Sequence, residues 1–437
     1  MNQSYDVAII GAGIVGTSTA HAMAKAGYSV ICIDPLPAAG YGSTSNSSAI
    51  VRTPYSTLDS TALAWESLQQ WRQWRTCLGE IGPSPLVEFY EAGMLYLNNG
   101  HDEAMENSLS HLTSLNIPWT LWNNETVAHH FPGFDMVSFA PPKRPDHPDF
   151  GEPSGVTMSG GYWTPDAGYI SDPAQAAQNL KESAECYGAQ FMFHTKVCGI
   201  QQDNGRVTGL LLEGSNVTEL SCRIVVNAAG PYSTVVNAMA NVQGDMLVQG
   251  RPLRQETCSL QRPESFTRIT DQKAIVMDTD AGVYYRTEPS NKFVVGGTEP
   301  ACDPLEWIDE PETLNKNPTD NWTAQVYRAA LRIPSLSIPD RASGVADLYD
   351  VTQDWTPIYD RSCLDGFYMA VGTSGNQFKN GPMIGSIMKT LIEYCESGSD
   401  HDSHPCHYTL PLTGNRINLA TFSRKRTATE GIGNVLG

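Results

Sequence analysis

The chain has 437 residues, more than a single ordinary core accommodates, so its length predicts two packed domains. Its 28 basic against 47 acidic residues give a formal net charge of -19, a balance that repels phosphate backbones and anionic lipid and argues against nucleic-acid or membrane-surface roles. A small anionic substrate stays compatible, because a few cations in a cleft outweigh distant charge.

The chain opens MNQS and passes directly into YDVAII, with no basic or signal-length apolar segment in front, and no run approaches the roughly 18 apolar residues of a membrane span. The ten cysteines, Cys32, Cys77, Cys186, Cys258 and Cys406 among them, are scattered and form no Cys-x-x-Cys pair. That usage predicts reduced thiols and a cytoplasmic protein, without a disulfide framework or a zinc site.

Residues 5 to 34, YDVAIIGAGIVGTSTAHAMAKAGYSVICID, carry the parts of a βαβ unit in order. Val7 to Ile10 reads as a short buried strand, Ile14 to Lys25 as an alanine-rich helix ended by Gly27, and Tyr28 to Ile33 as a second strand. Between strand and helix stands GAGIVG, a complete GxGxxG. Gly11 permits the tight turn, Gly13 lets backbone approach a pyrophosphate at the helix amino terminus, and Gly16 lets helix and strand pack closely. Asp34, closing the second strand, is placed to accept hydrogen bonds from an adenosine ribose. Together these predict a Rossmann-like dinucleotide site but do not choose between NAD and FAD.

Further along, residues 140 to 155, APPKRPDHPDFGEPSG, form a proline-rich segment longer than a routine connection, read as a tolerated surface insertion ahead of a lid. The stretch 172 to 188 predicts a helix with Asp172 as its cap, Pro173 at its first position and Gly188 beyond its end. GRVTGLLLEG and NKFVVGGTE alternate and turn like antiparallel strands, and 300 to 321 is acidic and loop-like. GTSGNQFKNGPMIG, residues 372 to 385, holds four glycines around one charge, Lys379. Near the end, SDHDSHPCHY groups His401, His404 and His407 with Cys406, but Pro405 interrupts it and no metal site is expected; Arg424, Lys425 and Arg426 read as a solvated surface cluster.

Set in order, GxGxxG, TSNSSAIVR, GGYWTPDAGYISDP, HTKVCGI, NAAGPYS, GVYYRTE, LYDVTQDWTPIYD and GTSGNQFKNGPMIG resemble the D-amino-acid oxidase superfamily of flavoproteins, nearest to its sarcosine oxidase, dimethylglycine dehydrogenase and glycine oxidase branch. The resemblance covers nearly the whole chain. It implies an α/β fold, α+β overall, with a Rossmann-like FAD-binding domain and a second, substrate domain built on an antiparallel sheet. The FAD domain would be discontinuous, from residues 1–85, 155–235 and 336–437, and the substrate domain would comprise 86–154 and 236–335.

The resemblance also carries residue roles. Ser43, Thr44 and Ser45 match the segment that wraps the flavin pyrophosphate, Val197 the backbone contact to adenine, and Ala229 and Gly230 a third flavin-facing turn. Gly375, Asn376, Gln377, Phe378 and Lys379 fall in the last cofactor-contacting stretch, ahead of a helix amino terminus that would favour negative charge on the reduced flavin. Arg52 and Lys379 match the two cations that hold a substrate carboxylate, a task suited to a planar guanidinium fork beside an ammonium, and Tyr285 and Tyr349 match cavity-lining positions.

Two positions depart from the sarcosine oxidase pattern. Asp347 stands where that branch carries a flavin-linking cysteine, and YGSTSNSSAIVR has no histidine of the dimethylglycine dehydrogenase kind, so non-covalent FAD is expected. Val294 stands where that branch has its oxygen-activating lysine, with Lys292 two residues earlier, which leaves oxidase and dehydrogenase both open and the acceptor as oxygen or another oxidant. The implied activity is oxidation of the C–N bond of a small carboxylate-bearing amine, N-methylated or cyclic, by hydride transfer to flavin N5 and imine hydrolysis. A hydroxy-acid or biosynthetic-intermediate oxidoreductase and a flavin-binding subunit of a hetero-oligomer are the alternatives.

Overall fold

The computed structural model of the protein describes residues 4–98, 103–268, 274–289 and 291–428. Strand Ser4–Ile10 lies at the centre of the first large sheet because Val7 to Ile10 are apolar on both faces and must be covered on both. It pairs in parallel with Val30–Ile33 on one side and Glu219–Asn227 on the other, with Val7 facing Val30 and Ile224. Gln190–Met192 and Phe367–Val371 extend the parallel core, and the antiparallel strands Lys196–Asp203 and Arg206–Glu213 flank it beyond Glu219–Asn227. GRVTGLLLEG is thus antiparallel, as its pattern predicts, and it belongs to this first sheet.

Three helices, Ile14–Lys25, Pro173–Cys186 and Gly381–Glu396, cover one face of that sheet around Val7, Ile9, Cys32, Ile224 and Val226. Asp172 caps the second by accepting from Gln175 N at 2.9 Å, Pro173 takes its first position and Gly188 follows with φ 94°. The first and third cross so closely that a Cβ on Gly385 would overlap the Ser18 carbonyl, and Gly385 N donates to Ser18 Oγ at 2.9 Å. A Cβ on Gly381 would press on Ile14. Two of the four glycines in GTSGNQFKNGPMIG therefore serve a helix crossing.

The second large sheet runs Glu306–Trp307, Gly250–Gln261, Lys292–Gly297, Val283–Thr287, Ile275–Asp278, Met94–Asn98, Gly160–Thr164 and Thr120–Asn123, with Gly344–Thr352 also paired to Gly250–Gln261. Its pairs are antiparallel except Ile275–Asp278 with Met94–Asn98, so the expected antiparallel sheet is mixed at one seam. Strands Gly160–Thr164 and Gly344–Thr352, from ranges expected in the nucleotide domain, join this sheet instead.

Alternation divides its residues: Val283, Tyr285, Phe293 and Val295 pack against helix Asp320–Arg332, and Met277 and Tyr284 turn to the opposite face. The proline-rich segment lies by that helix, where Arg144 pairs with Asp303 at 3.0 Å and Phe139 and Phe150 meet Leu331 across a small cavity.

Of the Arg424-Lys425-Arg426 cluster, Lys425 is exposed but the two arginines are not solvated. The Arg424 side chain is 1% exposed and bonds Asp245, Asp360 and Asp402 at 2.7 to 3.0 Å, and Arg426 pairs with Asp354 at 2.7 Å. Acids distant in sequence make burial of these cations tolerable.

Candidate active site

Three turns meet at the carboxyl end of the first sheet. The first is Gly11 to Gly13, where Gly11 takes φ 104° and a Cβ on it would strike the Ala228 carbonyl. A Cβ on Gly16 would strike the Gly11 carbonyl, so helix and turn can approach this closely only through glycine. The second is the 3-10 turn Ser43–Asn46, fixed by Ile14 N donating to Thr44 Oγ1 at 3.1 Å; Ser45 Oγ donates back to Gly42 O at 2.9 Å. The third is the turn at Ala229 and Gly230, held by Ala229 N to Asn227 Oδ1 at 3.1 Å, with Ser43 Oγ 3.8 Å from the Cβ position of Gly230.

Asp34 lies beside the first turn, nine-tenths buried, its carboxylate accepting from Ala12 N at 2.7 Å and Leu36 N at 2.8 Å. Burial raises its carboxyl above the usual range. Thr195 N donates to Asp34 O at 3.2 Å, which brings buried Val197 to the same edge.

These turns fit a dinucleotide on their own geometry. The amino terminus of Ile14–Lys25 has no acid in its first turn, and its dipole points at the turns, where Thr44 Oγ1 takes the Ile14 N–H. Every predicted nucleotide position before residue 231 falls at this edge.

The last predicted stretch forms the floor of an adjoining cavity, lined by Ser47, Ser48, Ile50, Arg52, Met277, Tyr284, Tyr349, Gly375, Asn376, Phe378 and Lys379. Gly375 has φ 68°, and a Cβ there would enter the Tyr349 ring, so glycine admits that aromatic wall. Asp350, next along the strand, holds the turn from behind by accepting from Gly372 N at 2.6 Å and Ser233 Oγ at 3.1 Å; burial pushes its carboxyl up to about 7. Phe378 stacks on Trp71 at 5.8 Å, and Gln377 Oε1 accepts from Tyr359 at 2.9 Å. Asn380, at the amino terminus of Gly381–Glu396, keeps a buried Oδ1 with no hydrogen-bond partner.

Lys379 is 3% exposed. Its Nζ bonds Tyr55 Oη and the Asn376 carbonyl, and among the described residues no carboxylate pairs with it. Burial, reinforced by the charge of Arg52, holds its ammonium well below a lysine's ordinary range. Arg52, 4% exposed, donates to Pro54 O at 2.5 Å and lies 4.5 Å from the Tyr55 ring centroid. The structure thus brings Arg52, Lys379 and Tyr349 to one cavity.

Tyr285 is not in it. Its side chain points to the opposite face of the sheet, where its hydroxyl donates to Asp278 Oδ2 at 3.0 Å beside the buried Arg332 ion pair. Its neighbour Tyr284 takes the cavity position, lying over Gly296, where a Cβ would strike its ring. Strand alternation makes this a one-residue error that GVYYRTE could not resolve. Tyr284, Met277 and Tyr55 were not singled out in the sequence; the last stands three residues after Arg52.

At the departures from the expected pattern, Asp347 Oδ2 accepts from Asn46 Nδ2 at 2.6 Å, and Val294 is paired with Ser259 and Arg286 while Lys292 is exposed at the strand start. Among the described residues, no group of histidine, cysteine and acid side chains is arranged to hold a metal; His401 Nδ1 accepts from Cys406 N at 2.9 Å. No described helix is long and apolar enough to cross a membrane.

Residues 6–391 match the family described as FAD dependent oxidoreductase (DAO). The chain belongs to that family. Similar solved structures include L-proline dehydrogenase from P. horikoshii, 21% identical with TM-score 0.74, covering 97% of this chain and 98% of that one. Glycine oxidase from Bacillus cereus is 21% identical with TM-score 0.66, covering 91% and 96%. NikD, an amino acid oxidase of nikkomycin biosynthesis, is 17% identical with TM-score 0.68, covering 92% and 96%. The family makes the protein an FAD-dependent oxidoreductase, and the fold is the one these amino-acid enzymes share.

The two tyrosines separate in their effects. Tyr285→Phe, which leaves buried Asp278 a donor short, should lower stability by about 1–3 kcal/mol in chemical denaturation of the holoprotein without altering ligand affinity at the cavity. Tyr284→Ala should change that affinity. An unchanged affinity in Tyr284→Ala with a weakened one in Tyr285→Phe would restore Tyr285 to the site.

Proposed function

We propose that the protein oxidises the C–N bond of a small amino acid, an N-methylated or cyclic secondary amine, with FAD as its redox cofactor. The observation that carries this reading is the convergence of Arg52 and Lys379 on one cavity whose lining includes no acidic side chain or histidine. Two cations without an acid suit one carboxylate. The similarity to proline dehydrogenase and glycine oxidase structures supports the amino-acid class.

The nucleotide would lie along the three turns, with Gly11, Gly13, Ser43, Thr44 and Gly230 against its phosphates, Asp34 at its ribose, and Gly375 to Lys379 at its ring. Bound there, FAD supplies a two-electron acceptor at N5. Arg52 and Lys379 fix the substrate carboxylate, which orients the carbon next to nitrogen for hydride loss. Tyr349, Tyr284 and Met277 would wall the amine from the side.

With no acid to pair an ammonium, the amine binds neutral, and its lone pair drives the hydride out so that no side chain must remove a proton. The imine product then takes up water, which splits an N-methylated substrate into an amine and a carbonyl compound and opens a cyclic one to a single amino-carbonyl chain, and the two electrons leave to oxygen or another acceptor. With Asp347 at one linking position and no cysteine or histidine in the lining, the flavin is held non-covalently. Acid precipitation should leave the yellow colour in the supernatant; flavin in the pellet would contradict this.

The functional test is bleaching of the purified single chain, without air, by N-methylglycine, L-proline or another cyclic amino acid. Loss of the oxidised flavin band with a secondary amine is the expected result. Bleaching by hydroxy acids alone, or by no small molecule unless another chain is added, would favour the alternatives. Admitting air afterwards separates oxidase from dehydrogenase by the speed of recolouring.

A further inference from the structure

Tyr55 lies outside the cavity lining, yet every cation in the cavity touches it. Its side chain is buried at 3% exposure, and its hydroxyl donates to the Asn376 carbonyl at 2.9 Å. Lys379 Nζ donates to the same hydroxyl and sits 4.8 Å from the ring centroid; the Arg52 guanidinium carbon is 4.5 Å from that centroid. Two like charges held this close in a buried wall repel, and an aromatic face with a hydroxyl at its edge is among the few neutral groups that can face both.

Local sequence explains how one residue reaches both. The strand Ile50–Val51 delivers Arg52, and TPYS then turns toward helix Leu58–Arg72. From that helix Trp71 Nε1 donates to the Lys379 carbonyl at 2.7 Å, locking the backbone of the lysine while Tyr55 addresses its side chain. Burial pushes the Tyr55 hydroxyl up to about 12, so it stays protonated and neutral across the working range of most proteins.

We propose that Tyr55 is a positioning residue for ligand recognition: its hydroxyl anchors Lys379 Nζ and its ring spaces Lys379 from Arg52, so that both cations address one carboxylate. This rests on the carboxylate reading given above. It adds a third member to that site, one that acts through Lys379 without touching substrate. Removing the hydroxyl would leave Lys379 Nζ held by the Asn376 carbonyl alone and would lower its affinity for an anion, while the turns at Gly11, Ser43 and Gly230 keep hydrogen bonds of their own.

The test is a double-mutant cycle on the holoprotein, with binding of pyrrole-2-carboxylate, a planar carboxylate that cannot give up a hydride, followed by the flavin absorbance. Tyr55→Phe should weaken binding by about tenfold, the scale of one hydrogen bond to a charged group, with FAD content retained. In a Lys379→Met background the same change should alter binding by less than about twofold, because coupled residues are non-additive. Equal effects in both backgrounds, no effect in either, or loss of FAD would overturn the proposal by making Tyr55 a structural residue. If Lys379→Met itself leaves binding unchanged, the carboxylate reading falls first, a result distinct from failure of the Tyr55 arm alone. Should Tyr55→Phe not yield holoprotein, Tyr55→Leu enters the same cycle with the same outcomes.

Discussion

Burial of Lys379 without a carboxylate partner among the described residues is the constraint on which the site depends. An ammonium in a low-dielectric wall is costly unless it loses its proton or gains an anion, and here its partners are a hydroxyl and a backbone carbonyl, both neutral. Arg52 nearby raises that cost. A ligand carboxylate relieves it, so the energy held in the free protein favours anion binding at one place.

The surrounding structure keeps the lysine there. Trp71 holds its carbonyl, Asp350 holds the Gly372–Gly375 turn before it, and the close helix crossing at Gly385 and Ser18 fixes the helix after it. The glycines at 372 and 375 take positive φ, and those at 381 and 385 let helices approach, so one short segment serves both site and packing. Such preorganisation is what allows two cations to face a cavity at all.

Much of this was legible in the chain. YDVAII, GAGIVG and the alanine-rich run after it specify a βαβ unit because local period, glycine placement and strand composition agree, and DPAQAAQ declares its own helix cap. Arg52 and Lys379 could be paired only through family resemblance, since 327 residue numbers separate them, 379 less 52. What could not be read was set by long-range contacts: Arg424 looks solvated until Asp245, Asp360 and Asp402 fold onto it, and Gly344–Thr352 joins the second sheet by pairing with Gly250–Gln261. Tyr284 and Tyr285 are adjacent and chemically identical, so only strand register assigns them to opposite faces.

The charge of Lys379, disfavoured by burial and by Arg52, is the property that a ligand carboxylate should change most. Its ammonium is lowered when the cavity lacks an anion, and a bound carboxylate raises it again, so binding must take up protons at pH values between the two states, and affinity must fall as pH rises through that interval. Calorimetry of pyrrole-2-carboxylate binding to the holoprotein, in buffers of differing ionisation enthalpy at about pH 9, where an ordinary lysine near 10.4 is already charged, measures this directly. The expected result is net proton uptake that disappears in Lys379→Met. Binding with no proton exchange in the unaltered protein, or with the same uptake in Lys379→Met, would contradict it.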